Sequence, residues 1–124
     1  MHIERLKHMT KLLRSIPPQN FNLTDWTEAD EGIVDTQQAI ECGTVCCAVG
    51  WACSDPWFIE QGLHWGSYTR PVFGEFCSWS AVAEFFQLTG ADAHWLFDSA
   101  CYRTPTVKPN TVANRIYELI RKNS

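Results

Sequence analysis

Several side chains of this sequence have the types and spacings that carry chemistry. Cys42, Cys46, Cys47 and Cys53 crowd one stretch, and His94 and Cys101, seven residues apart, offer two further metal ligands. Structural zinc sites need four such ligands, most often with a Cys-x-x-Cys pair. That pair is absent, and the clustered thiols sit in apolar company, so they read as small packed hydrophobes with no metal bound. A second possibility is a thiol nucleophile. Cys42 falls near a helix start, where a thiol is acidified, and His94 with Asp98, four apart, has the spacing of a base and its orienter. No nucleophile signature surrounds Cys42, and nothing local brings His94 to it. The expectation is therefore no enzyme, with no catalytic residue and no cofactor. A third possibility is ligand binding. Gly43-Thr44 at a helix start would offer backbone N–H groups and a hydroxyl to a phosphate, but no phosphate-loop lysine follows, and Asp35 and Glu41 would repel an anion. Aromatic stacking is the better-supported chemistry, and the candidate binding residues are Trp57, Trp65, Tyr68, Arg70 and Thr44.

The elements that must position these residues read as helices. Ile3, Leu6, Met9, Leu13 and Ile16 recur at spacings of three and four, an amphipathic pattern that Pro17-Pro18 stops. Phe21, Leu23 and Trp26 form a short connector that seals an edge of the core, and an acidic loop runs from Thr27 to Asp35. A central buried helix is expected from about Asp35 or Thr36 to Cys53, with Cys42, Cys46, Val49 and Cys53 on one face. Gly50 would be costly in an exposed helix, so close approach of another helix is expected there. From Trp57 to Phe76 the chain is an aromatic-rich connector that allows a helical turn near Trp57 to Gln61 and a short hairpin near Trp65 to Phe73. A helix capped by Ser78 or Ser80 follows, then one capped by Thr89 with Asp92 at the reciprocal position. Asn110 is expected to cap the last, striped by Val112, Ile116, Leu119 and Ile120. The resulting expectation is a single all-α domain over residues 1–124, a bundle of about five helices around the central one.

Composition narrows the function classes. At 124 residues and 45% hydrophobic content the chain can bury one core, and no apolar run approaches the roughly 20 residues that span a bilayer. The N-terminal segment lacks a signal-peptide pattern, so the expected location is the cytoplasm, with reduced thiols. The net charge of −4 hides an asymmetry. Arg70 is the sole Lys or Arg between residues 15 and 100, where most carboxylates lie, and the basic residues otherwise gather at the two ends. The acidic middle disfavours direct nucleic-acid binding, for which continuous basic patches are usual, and suits either charge complementarity within the fold or a basic partner.

Three segments carry a resemblance: Phe21, Leu23 and Trp26 in a Phe-x-Leu/Met-x-x-Trp pattern; Cys42 to Ala52 in a Cys-Gly-Thr-x-x-Cys-x-x-Gly-Trp-Ala pattern; and Leu88 to Phe97, close to Leu-Thr-x-x-x-Ala-x-x-Leu-Phe. In these the chain resembles a group of small uncharacterised proteins of phages, prophages and bacteria. The resemblance implies phage biology: a small protein that occupies a host component in the host cytoplasm, with inhibition of a bacterial defence system as one setting. The alternative expectation is a small-ligand protein that binds or sequesters a nucleotide signal, and a thiol enzyme ranks third.

Overall fold

A computed structural model of the chain describes residues 1–26, 45–67, 69–104 and 106–123. The first helix, α1 (Ile3–Ser15), follows the periodicity closely: Leu6, Met9 and Leu13 are fully buried, and the His2 side chain accepts from the Arg5 N–H at its start. It ends ahead of Pro17-Pro18. A 3-10 turn (Pro18–Asn20) then leads into an extended segment in which Phe21 and Leu23 are buried and Trp26 is half-buried.

That segment explains where the central helix begins. Phe21 forms a parallel bridge with Cys46. The Cys46 N–H donates to the Asn20 carbonyl at 3.1 Å, the Asn22 N–H to the Cys46 carbonyl at 3.0 Å, and the Cys47 N–H to the carbonyls of Asp25 and Trp26. With their amides committed to a neighbouring segment, Cys46 and Cys47 cannot join an i→i−4 ladder. The helix α2 therefore spans only Ala48–Ser54, all of it buried, with Cys47 as its N-cap. This corrects the expected helical run through Cys46; the part of that run from Asp35 to Thr44 lies outside the described residues. Gly50 is indeed a close-approach position, but its neighbour is backbone rather than a helix: a Cβ there would overlap the Trp26 carbonyl oxygen.

The all-α expectation is overturned by a three-stranded antiparallel sheet. After α3 (Pro56–Glu60) come β1 (Leu63–Trp65), β2 (Pro71–Phe73) and β3 (Phe76–Cys77), in that spatial order. Leu63 pairs with Phe73, Trp65 with Pro71, and Val72 with Cys77. The fold is mixed α and β. Strands of two or three residues are too short to display a period-two pattern, so only the Gly and Pro punctuation marked them.

The sheet packs between α2 and α4 (Ser78–Phe86), with Phe73 edge-on to Phe85 at 5.2 Å. Gln87, in the left-handed region at φ 53°, closes α4. Thr89 caps α5 (Gly90–Phe97) as the sequence predicts, its hydroxyl accepting from the Asp92 N–H. The last helix, α6 (Pro109–Lys122), starts one residue before the expected Asn110 cap, with Pro109 in the first helical position that proline favours. Phe58, Phe85, Phe86 and Phe97 meet in the core. Rather than both lying on the central helix, the terminal helices α1 and α6 pack most extensively on each other, and Thr10 and Tyr117 share a hydroxyl contact at 3.3 Å between them.

Gly50→Ala is expected to destabilise the protein by about 1 to 3 kcal/mol, since the Cβ meets backbone that cannot rotate away. Gly90→Ala, with open space around its Cβ and an ordinary φ, should be near neutral. Urea denaturation of both variants checks the contrast.

Candidate functional site

Of the expected binding residues that are described, Trp57 and Trp65 face different elements. Trp57, in the first turn of α3, faces α1: its ring stacks on His8 with centroids 3.6 Å apart and planes 9° from parallel. Together with Lys11, Leu12, Asp55 and Phe58 these rings line a cleft of about 300 Å³. Asp55 caps α3 by accepting from the Trp57 N–H, and burial pushes its carboxyl up from the ordinary value. Trp65 faces α2 instead. Its indole donates to the Ser54 hydroxyl at 3.1 Å, and that hydroxyl donates in turn to the Gly50 carbonyl. Arg70 is half-buried at the turn before β2, where its carbonyl accepts from the Gly66 N–H. Thr44 and Tyr68 lie outside the described residues.

The thiols of Cys46, Cys47 and Cys53 are buried. Counting along Cys-Gly-Thr-x-x-Cys, the second cysteine falls at Cys47, whose sulfur accepts from the Gly50 N–H at 3.3 Å. Burial pushes its thiol up to about 12 and drives that of Cys53 well above the ordinary value, so both stay protonated and non-nucleophilic. Trp51 is fully buried, with its indole donating to the Asn20 carbonyl at 2.9 Å. Cys47, Gly50 and Trp51 are thus spent on starting and packing α2. Cys42, the thiol paired in the sequence with His94, is outside the described residues. Among those described, no group of three His, Cys, Asp or Glu side chains is placed to hold a metal.

A different constellation emerges where the extended segment meets α4 and the end of α5. The extended segment contributes Leu23, Thr24, Asp25 and Trp26, α4 contributes Trp79, and the end of α5 contributes Phe97 and Asp98, around a cleft of about 270 Å³. Trp26 and Trp79 lie 5.0 Å apart at 53°, and His94 stacks on Trp79 at 4.1 Å. The His94–Asp98 spacing does produce the pair that it suggests: His94 Nδ1 is 2.7 Å from Asp98 Oδ2. Asp98 Oδ1 accepts from the Ala100 N–H, so the carboxylate anchors both the imidazole and the 3-10 turn Ser99–Cys101. The bond from His94 holds the Asp98 carboxyl below its ordinary value, and an ionised carboxylate can only accept. Nδ1 therefore carries the proton of this contact, on a ring whose side chain is 42% exposed. Sequence reasoning found the i,i+4 pair because it is local. It missed the cleft because Trp26 and Trp79 are far apart along the chain, and each alone reads as packing.

No family model matches this chain, and neither a curated protein nor a solved structure matches it.

Two outcomes follow from this chemistry. Native-state alkylation with iodoacetamide should label Cys77 and Cys101, which are exposed, and spare Cys46, Cys47 and Cys53 until the chain is unfolded, as peptide mass mapping would show. Because the folded-state value of Asp98 is lowered, its contribution to stability is full above the ordinary carboxylate value of 3.8 and is lost as pH falls through the folded value. Asp98→Asn should therefore be less stable than wild type at neutral pH, with the difference shrinking in acid; denaturation midpoints across the acid range measure this.

Proposed function

We propose that this is a small binding protein of the phage type that works by occupying a host protein in the host cytoplasm, with a bacterial defence component as the natural kind of target. The reading rests on one observation above the others: the acidic middle carries several half-buried indoles together with exposed apolar side chains. Trp26, Trp57 and Trp79 are half-buried there, and Ile59 and Phe76 are 38% and 41% exposed. Aromatic side chains with an apolar body and a solvent-reaching edge are typical anchors of interfaces. The commitment of Cys47, Gly50 and Trp51 to packing supports the same reading, since it leaves the most specific motif a role in the scaffold. No helix among the described residues is long and apolar enough to cross a membrane.

A second reading, sequestration of a small nucleotide, draws support from the Trp57 cleft, where Lys11 stands beside an indole. Against it, one face of Trp57 is already covered by His8, so a base would have to displace the imidazole or use the ring edge.

Native mass spectrometry of the protein purified from a bacterial host decides between them. The expected result is a stoichiometric protein complex that is lost in an Ile59→Asp/Phe76→Asp variant and kept in Lys7→Ala, which changes the basic helix α1. A retained nucleotide in place of a protein would overturn the binding-protein reading in favour of the second.

A further inference from the structure

We infer that His8 and Trp57 form a protonation-dependent clasp between α1 and α3, in which the imidazole is seated as the imidazolium and the contact weakens when it loses its proton. The geometry of the pair carries the inference. Neutral aromatic rings avoid stacking squarely face to face, because their π faces carry the same partial charge, and settle offset or edge-on with centroids about 4.5 to 7 Å apart. The phenylalanines of the core obey this: Phe85 meets Phe86 at 4.9 Å and 88°, Phe73 meets Phe85 at 5.2 Å and 85°, and Phe86 meets Phe97 at 5.4 Å. His8 and Trp57 do not. With centroids 3.6 Å apart and planes 9° from parallel, the imidazole lies almost directly over the indole. That is the position a cation takes over the negative face of an indole, the side chain whose ring attracts cations best. The other short stack has the same character: the imidazole 4.1 Å from Trp79 is the one bonded to the Asp98 carboxylate.

The charges around His8 leave the decision to the ring. On α1, Glu4 stands four positions before His8, Arg5 three before and Lys11 three after, spacings at which helical side chains meet. Arg5 turns to α4, where it donates to the Phe85 carbonyl. Asp55, the cap of α3, lines one cleft with His8 and Lys11. Burial pushes the Asp55 carboxyl up, and the bonds from Trp57 and Phe58 together with charge on His8 draw it part of the way back. Glu4 and Asp55 thus oppose Arg5 and Lys11 in sign. Lys7, Glu60 and Glu84 are exposed, and α2 carries no charged side chain. Thr10, two positions on and so across the helix from His8, meets Tyr117, which puts α6 on the far side of α1.

The clasp matters because α3 has five residues, too few to hold a helix without tertiary support. Two of its supports are the Asp55 cap and the Trp57 stack. Loosening the stack therefore loosens a helix that also carries the exposed Ile59. Since the contact favours the charged form, its contribution is full in acid and is lost as pH rises through the point at which His8 gives up its proton. The clasp stands independently of the host-protein reading.

A double-mutant cycle tests it. Folding equilibria of the full chain are measured by urea denaturation for wild type, His8→Gln, Trp57→Leu and the double variant at about pH 5.5 and about pH 8, toward either end of the range in which histidine changes charge. The expected coupling is about two- to fivefold in the folding equilibrium at the lower pH, the size of an exposed cation–π contact, and less at the higher. His8→Arg, a planar cation at both pH values, should couple to Trp57 equally at both. The same cycle in Asp55→Asn, which keeps a capping side chain, is expected to retain the pH dependence. In parallel, the Trp57 indole N–H signal should move with pH in the folded wild type and stay in place in His8→Gln, a readout that needs no change at position 57. Equal coupling at both pH values, stronger coupling at the higher one, pH dependence that vanishes in Asp55→Asn, or an indole signal that titrates alike in His8→Gln would each overturn the clasp.

Discussion

The Trp26 carbonyl oxygen sets the register of the whole chain. It accepts from the Cys47 N–H at 3.2 Å and sits where a side chain at position 50 would have to be, so α2 can begin only at Ala48 and only with glycine two residues further on. The Asn20 carbonyl does the same work at the other end of the contact, accepting both the Cys46 N–H and the buried Trp51 indole. Each of these is a buried donor that would cost about 1 to 3 kcal/mol if left unpaired, so sliding either segment by one residue forfeits several at once. Everything downstream takes its position from this unit. Ser54, at the end of α2, accepts the Trp65 indole and so ties the first strand to the helix.

The distribution of charge follows from which elements pack together. Because α1 and α6 lie side by side, their cations gather in one part of the molecule instead of being spread over the acidic middle. Several are taken up by rings: Arg14 lies 5.2 Å from the Tyr117 centroid, and Arg5 reaches from α1 to Phe85 and Phe73 on the sheet side. Burial lowers the Arg5 value without discharging it, since a guanidinium keeps its proton over any physiological range. Among the described residues, cations of the terminal helices are thus held by rings, and Lys122 also lies 3.8 Å from Glu118 on its own helix. Salt screens exposed charges beyond about 8 Å, so contacts this close are the ones that persist at physiological ionic strength.

What could be read from the sequence was what is local. The three-and-four spacing of α1 placed Leu6, Met9 and Leu13, all fully buried, and Thr89 with Asp92 marked the start of α5 correctly. The Cys42, Cys46, Val49, Cys53 pattern placed Val49 and Cys53 on the buried helix but misled at Cys46, because a buried extended segment and a buried helix both want small apolar residues, and periodicity alone does not separate them. Cys46 is 1% exposed, as a helical reading requires, yet it is held in a β-bridge by Phe21, which is distant from it in the sequence. The sheet was illegible for a related reason: its stability comes from packing on α2 and α4, and strands this short carry little pattern of their own. The His94–Asp98 pair was visible at four-residue spacing, whereas the indoles beside it became neighbours only through the tertiary fold.

Residues Thr24 to Trp26 divide two roles between backbone and side chain. The carbonyls of Asp25 and Trp26 hold the start of α2, while the Trp26 ring lies 5.0 Å from that of Trp79 beside the cleft that both residues line. A substitution that keeps the backbone path can therefore alter the cleft without touching the register of the core, and a substitution at Gly50 does the reverse. That separation lets the cleft surface vary on a scaffold whose own requirements are strict. Cys47, Gly50 and Trp51 are held by the backbone they pack against, and the side chains around the cleft are not.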